Sequence, residues 1–502
     1  MSIAAATELE TVPARPLMTP LACAAGCVVL ADWLFYGWDI GISLAVFLGA
    51  VGVAAVFGNR IEMRGRARII PAIVLAAGLL PLIEEVNLLS VAVATVATAM
   101  SVIAMISTQP ASWPWQLLEA ATVPFRGPFL LARDTIGALR HMNIWTPNWI
   151  GWLVAWIVPL CVFAIFLILF SSANPVIEHV LMLIDLRKLF EFISPWRLCF
   201  WAFVACMIWP LICRRIKSKP ARTWEFAPIN PTATSELDYL LGTQAVMRSL
   251  VLFNALFAAQ TAMDVVYLWG GAALPNGMTY AQYAHRGAYP LIFTALLAAA
   301  FVLIAMRRGG PADQSRLIRP LVLIFIAQNV LLVISSIFRL DLYVASYSLT
   351  YLRLTAFIWM GLVAAGLVLI LIQIELRKST YWLISANAIT LALVLYGCCF
   401  INAPRLIASY NIEHSREVSG TGQNLDWRYL RCLGPQILPA MERYHDKFPA
   451  FWQPNSTCCT NARDAFTSSK NWRDWSFRAW RLEQYFANNP LNPRSLSVGG
   501  QG

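Results

Sequence analysis

Eleven runs of mostly apolar residues, nearly free of charge, leave this chain of 502 residues few ways to fold. All but the third are long enough, at about 17 to 25 residues, to cross a hydrocarbon layer of about 30 Å as a helix. Within lipid every backbone N–H and C=O needs a protein partner, and a helix provides those partners inside one segment. The runs lie at about 19–36, 40–57, 69–83, 88–107, 149–171, 196–213, 244–269, 288–306, 317–338, 354–375 and 380–401. They predict an all-α membrane fold, a polytopic transmembrane helix bundle of about 11 spans. In the short third run, Pro71 and Pro81 require neighbouring helices to satisfy the carbonyls they free.

Around this bundle, residues 1–18 form an N-terminal tail, and residues 402–502 form a small, mainly helical extramembrane domain. The tail has one cation, Arg15, and no convincing cleavage site, so no cleavable signal peptide is expected. In the C-terminal domain Leu425, Tyr429, Leu430 and Leu433 make one helical face, and Leu438, Met441 and Tyr444 begin a second. Trp475, Ala479, Leu482 and Phe486 predict a further amphipathic helix, with Arg473, Arg478 and Arg481 off its apolar face. It suits packing on its own domain, or contact at headgroup level.

The charged fraction is 13%, against about 25% for a soluble domain. The net charge of +11 comes from residues at the ends of apolar runs rather than on one soluble face, so nucleic acid is not the expected partner; the bilayer is. Alternate connections hold 19 Lys and Arg, including Arg60, Arg64, Arg66, Arg68 and the Arg214–Arg222 cluster, against five in the opposite set. The positive-inside rule then places the N-terminus in the cytoplasm and, after eleven spans, the C-terminal domain outside, in the periplasm of a bacterial inner membrane. Connections 108–148 and 214–243 are cytoplasmic and amphipathic, the first with helices lying on the membrane surface.

Ionisable residues within or beside spans are the strongest functional pointers, because each is costly unless paired or wet. Asp32, Asp39, Glu84, Glu85, Asp264, Arg339, Asp341, Arg353 and Glu375 qualify. If Phe338–Leu354 is one helix, Arg339, Tyr343, Ser346, Thr350 and Arg353 share one stripe. With Asp264, Asp341, Tyr283 and Arg286 they converge toward the outer leaflet, where arginines could clamp a phosphate or carboxylate and tyrosines donate hydroxyls. The competing account is structural: snorkelling arginines, an interfacial tyrosine belt, and a locally paired Asp341.

Nothing points to a cofactor, a metal or a catalytic residue. The five histidines have no ligand spacing, and the eleven cysteines contain no two-residue-spaced pair. Cys432 is a candidate partner for Cys458 or Cys459 in an oxidising compartment.

Several stretches together resemble a family of bacterial polytopic membrane proteins, domain of unknown function 4173, which has a relative numbered 4153. They are Ala173-Asn174-Pro175, Thr279–Gly287, Tyr347-Ser348-Leu349-Thr350 with Arg353, Leu425-Asp426, Tyr429-Leu430 and Leu438-Pro439-Ala440. The chain has Ser348 where the family pattern has Gly, and Gln282 where it has Glu. The resemblance implies an integral inner-membrane protein with a signature on its outer face and supplies no activity. The first expectation is therefore a non-enzymatic protein whose outer polar pocket binds a small anion or lipid headgroup, for transport or envelope sensing. The alternatives are a scaffold that docks a protein partner on its C-terminal domain, and a membrane enzyme acting on a lipid-linked substrate.

Overall fold

The computed structural model describes residues 18–61, 68–106, 113–141, 194–213, 243–269, 317–447 and 471–489, with a few isolated positions between them. Those residues are mostly helical, with no strand among them, and build an all-α membrane bundle. Seven described helices are long and apolar enough to cross a membrane, and Ile42–Gly58 and Ile69–Glu84 are shorter apolar helices. The runs at 149–171 and 288–306 lie outside the described residues, apart from isolated positions. Large apolar side chains such as Val53, Ile73, Leu252 and Leu393 are exposed on these helices. Outward apolar faces of this kind are what a lipid solvent selects.

The chain divides into two compact units. The first holds α1 (Met18–Phe35), α2 (Ile42–Gly58), α3 (Ile69–Glu84), α4 (Leu88–Ile106), α5 (Trp113–His141), α6 (Pro195–Ile212) and a strap, Asn471–Ala479. On α1, Ala24, Cys27, Ala31 and Leu34 recur at helical spacing and are buried against Val51 and Ala55 of α2 and Ile208 and Ile212 of α6. Helices in lipid gain by close approach rather than by leaving water, so small residues mark the crossings. At Gly78 a Cβ would lie 2.3 Å from that of Ala97, and at Gly127 one would lie 2.0 Å from the Cys206 carbonyl oxygen. The Gly127 approach packs α5 against the middle of α6. Within the connection 108–148, Trp113–His141 form one 29-residue helix running through Pro124 and Pro128, with Phe125 and Phe129 exposed along it.

At one end of this unit the Asn59 amide donates to the Leu211 carbonyl at 2.8 Å. At the other, the backbone N–H of Ile42 donates to Trp475 O at 2.9 Å and that of Ser43 to Arg473 O at 3.3 Å. The strap and the α1–α2 connection therefore share an end.

The second unit holds α7 (Thr243–Asp264), which passes into a π-helical turn at Val265–Trp269, and α8 (Ile318–Tyr347), α9 (Tyr351–Glu375) and α10 (Thr380–Cys398). Beyond them come α11 (Ala403–Glu413), α12 (Arg416–Ser419), α13 (Trp427–Cys432) and α14 (Leu438–Glu442). Leu425, Leu430, Leu433, Ile437 and Met441 pack with Ile407 and Ile412 and join the core of the helices before them. The last helix, α15 (Phe477–Asn488), starts after Trp475; Leu482 and Phe486 pack on Leu438, as the apolar spacing suggests.

One expectation needs correction. Phe338–Leu354 is not a continuous helix: α8 ends at Tyr347 and α9 starts at Tyr351, so Arg339 and Tyr343 are on one helix and Arg353 on the next. Ser348 sits at φ 67°, ψ 166°, a region open essentially to glycine, and breaks the ladder. Asn411 takes over the freed backbone, accepting from Leu349 N at 2.6 Å and donating to Leu349 O at 2.9 Å. Thr350 caps α9 by accepting from Arg353 N.

Candidate functional site

Two arginine centres lie toward the same end of the second unit. The first joins α7 to α8. Asp264 closes α7, is 1% exposed, and accepts from the Arg339 guanidinium, the Ser335 hydroxyl and, at 3.1 Å, the Gln260 amide. Arg339 is 3% exposed. Two ions buried between helices have lost most of their bulk hydration, so this pair is held by mutual attraction and by the added donors on the carboxylate. The π-helical turn begins at the next residue and re-aims the chain immediately after the carboxylate.

The second centre is the α8–α9 turn. Arg353, in the first turn of α9, donates through one terminal nitrogen, Nη1, to the carbonyls of Tyr347 and Ser348. Those groups belong to the end of α8, where carbonyls have no helical partner and a cation is favoured. Its guanidinium carbon lies 4.5 Å from the Tyr343 ring centroid and 5.9 Å from that of Tyr347. Tyr429 accepts from the Tyr351 N–H at 2.9 Å, so the helices after Asn402 close the turn from α11 and α13.

Of the eight sequence-predicted residues, the structure brings Asp264 together with Arg339, and Arg353 with Tyr343 and Thr350. It does not merge these into one cluster of arginines around one carboxylate. Asp341 is exposed on α8. Burial, and then the charge of Asp341, push the Tyr410 phenol above its ordinary range. Tyr283 and Arg286 lie outside the described residues.

In the first unit the sequence marks Asp32, Glu84 and Glu85 but not their partners. Arg197 of α6 meets Asp32 bidentately, at 2.7 Å through Nε, and Trp201 donates to the same carboxylate at 2.8 Å. Arg478 of the strap donates to Glu84 at 3.2 Å and to Glu85, and its side chain is 3% exposed. The sequence hint for Arg197 is its place beside Trp196 at the start of an apolar run; Arg478, within an amphipathic helix, has none. Asp134 is a further buried carboxylate, accepting from Trp209 at 3.2 Å. Among the described residues no group of His, Cys, Asp and Glu has the arrangement to hold a metal ion.

A family model described as "Domain of unknown function (DUF4153)" matches residues 69–444, three quarters of the chain and both arginine centres. The chain belongs to this family. The sequence resemblance names 4173 with 4153 as its relative, and the match is to DUF4153. No curated protein and no solved structure matches the chain. Membership of DUF4153, together with the apolar helices, makes this a multi-pass membrane protein of a family without an assigned function.

Proposed function

We propose that this DUF4153 protein is a non-enzymatic component of a bacterial inner membrane. In this reading its α8–α9 turn faces the periplasm and binds a phosphate-type anion, a lipid headgroup or a small solute, in transport or envelope sensing. The orientation rests on the cationic asymmetry of the connections. The observation that carries the ligand is Arg353. Its Nη1 is fixed on two carbonyls and its guanidinium carbon sits over the Tyr343 ring, while Nε and Nη2 have no partner among the described residues. A guanidinium held along one edge presents the other for bidentate contact with phosphate oxygens. Tyr347, Tyr351 and Leu352 are exposed around it, as suits a group at headgroup depth.

Arg339 has a different role in this reading. Its charge is matched by Asp264, and the same pairing leaves Asp264 poorly suited to act as a base in lipid-linked chemistry. A second reading, a scaffold for a protein partner, is favoured by the way Asn411 and Tyr429 tie the helices after Asn402 to the turn. A change in those helices would be felt at Arg353.

The test is thermal stability of the purified protein with inorganic phosphate, glycerol phosphate or anionic phospholipid, for wild type and Arg353→Gln. Ligand at about a hundred times its dissociation constant contributes about 2.7 kcal/mol. A gain for wild type that is lost in the variant supports the anion reading, and the responding compound distinguishes solute from headgroup. No gain with any of them defeats it and favours the scaffold.

A further inference from the structure

The α7–α8 seam holds polar groups that neither arginine centre uses. Asn254 on α7 and Gln328 and Asn329 on α8 each bury a side-chain carbonyl oxygen with no donor among the described residues. Asn329 is 1% exposed. The assignment of oxygen and nitrogen is set by the surroundings. The Asn254 amide donates to Leu250 O at 2.8 Å and Leu321 O at 3.1 Å, and the Asn329 amide donates to Phe325 O at 2.7 Å. Turning either amide over would set oxygen against carbonyl oxygen.

These positions form a line. Asn254 touches the backbone at Leu321, and Asp264 touches Ser335, so α7 and α8 run in parallel, with the register shifting by four residues between the two contacts. At about 1.5 Å per residue, Gln328 lies about 10 Å along α8 from Ser335, and Asn254 about 15 Å along α7 from Asp264. Gln328, Ser335 and Arg339 share one face of α8, and Asn329 flanks it.

Three orphan acceptors inside a lipid-facing bundle require hydrogen-bond donors small enough to fit between packed helices. Because they spread along the axis instead of converging on one point, several small donors fit better than a single cation. We propose that the seam holds a file of internal water molecules, running from the level of Asn254 to the Asp264–Arg339 pair. The file hydrates that ion pair within the bundle. This inference does not depend on a ligand at Arg353.

Radiolytic hydroxyl-radical labelling of the detergent-purified wild type tests it without any substitution, because internal waters generate radicals where they sit. Normalised to each side chain's intrinsic reactivity, Phe325 and Leu332, both 2% exposed beside the seam, are expected to be oxidised several-fold above Ile212, which is buried in the other unit. Labelling of Phe325 and Leu332 no greater than that of Ile212 overturns the proposal. A second experiment places single cysteines at Gln328, Asn329 and the outward-facing Ile324 and probes them with silver ion, against the background of the native thiols. Reaction at 328 and 329 but not at 324 supports the file. In variants that keep the wild-type elution profile, silence at 328 and 329, or equal reaction at all three, refutes it.

Discussion

Replacing Arg478 by Met removes the cation that serves two carboxylates, with a cost that follows from their burial. The Arg478 and Glu84 side chains are 3% and 8% exposed, while Glu85 keeps 35% and also accepts from Asn87 at 3.2 Å. Glu85 can turn to solvent, so its share of the ion pair is discounted. Glu84 cannot, and a buried charge stripped of its partner costs about 3–5 kcal/mol. Met keeps most of the stem volume, so little of that loss is cavity. Unfolding of the purified protein titrated with a denaturing detergent and read by pulse proteolysis measures it. Arg481→Met, three residues on and exposed, is expected to stay within about 0.5 kcal/mol. Adding Glu84→Leu to Arg478→Met should recover much of the loss, because the orphan charge leaves with its partner. A loss below about 1 kcal/mol for Arg478→Met, or no recovery in the double variant, would refute the argument.

Ser348→Gly relieves a backbone conformation that costs a serine about 1–3 kcal/mol, less the added chain entropy of glycine, and should raise the melting temperature slightly. Asn411→Leu removes both bonds to the Leu349 peptide and should cost about 2 kcal/mol in thermal denaturation while exposing the turn to proteases. Gly78→Leu forces a side chain into the contact with Ala97; it should lower stability by about 1–3 kcal/mol or more, whereas Gly137→Ala, with open space around it, should be neutral or stabilising. Asp264→Asn leaves Arg339 buried against a neutral amide and should cost about 3–5 kcal/mol, measured as detergent-induced unfolding.

The spans were legible because lipid imposes length and apolarity on each segment separately. Predicted and described ends agree within about three residues for α1 to α4, as at 19–36 against Met18–Phe35. The long α8 was under-called because its last turns carry Arg339 and Asp341, which hydropathy reads as a boundary. Periodicity could not see the break at Ser348, since Arg339 through Arg353 satisfies helical spacing whether or not the backbone continues; a serine at positive φ leaves no local trace. Burial of Asp264 was foreseeable from its position in a span. Its pairing with Arg339 across 75 residues, and that of Glu84 with Arg478 across 394, depend on packing that pattern alone does not encode.

The strap also has a consequence for the order of events during biogenesis. Ile42, Ser43 and Glu84 are inserted some four hundred residues before Arg473 and Arg478 emerge from the ribosome. Until then α1 to α4 wait in the bilayer with their acidic end unclosed. Completing it is a loop closure of very long range, slow compared with the pairing of neighbouring helices. Quality control that recognises unpaired charge at a membrane surface would therefore see every nascent copy of this chain as unfinished for most of its synthesis.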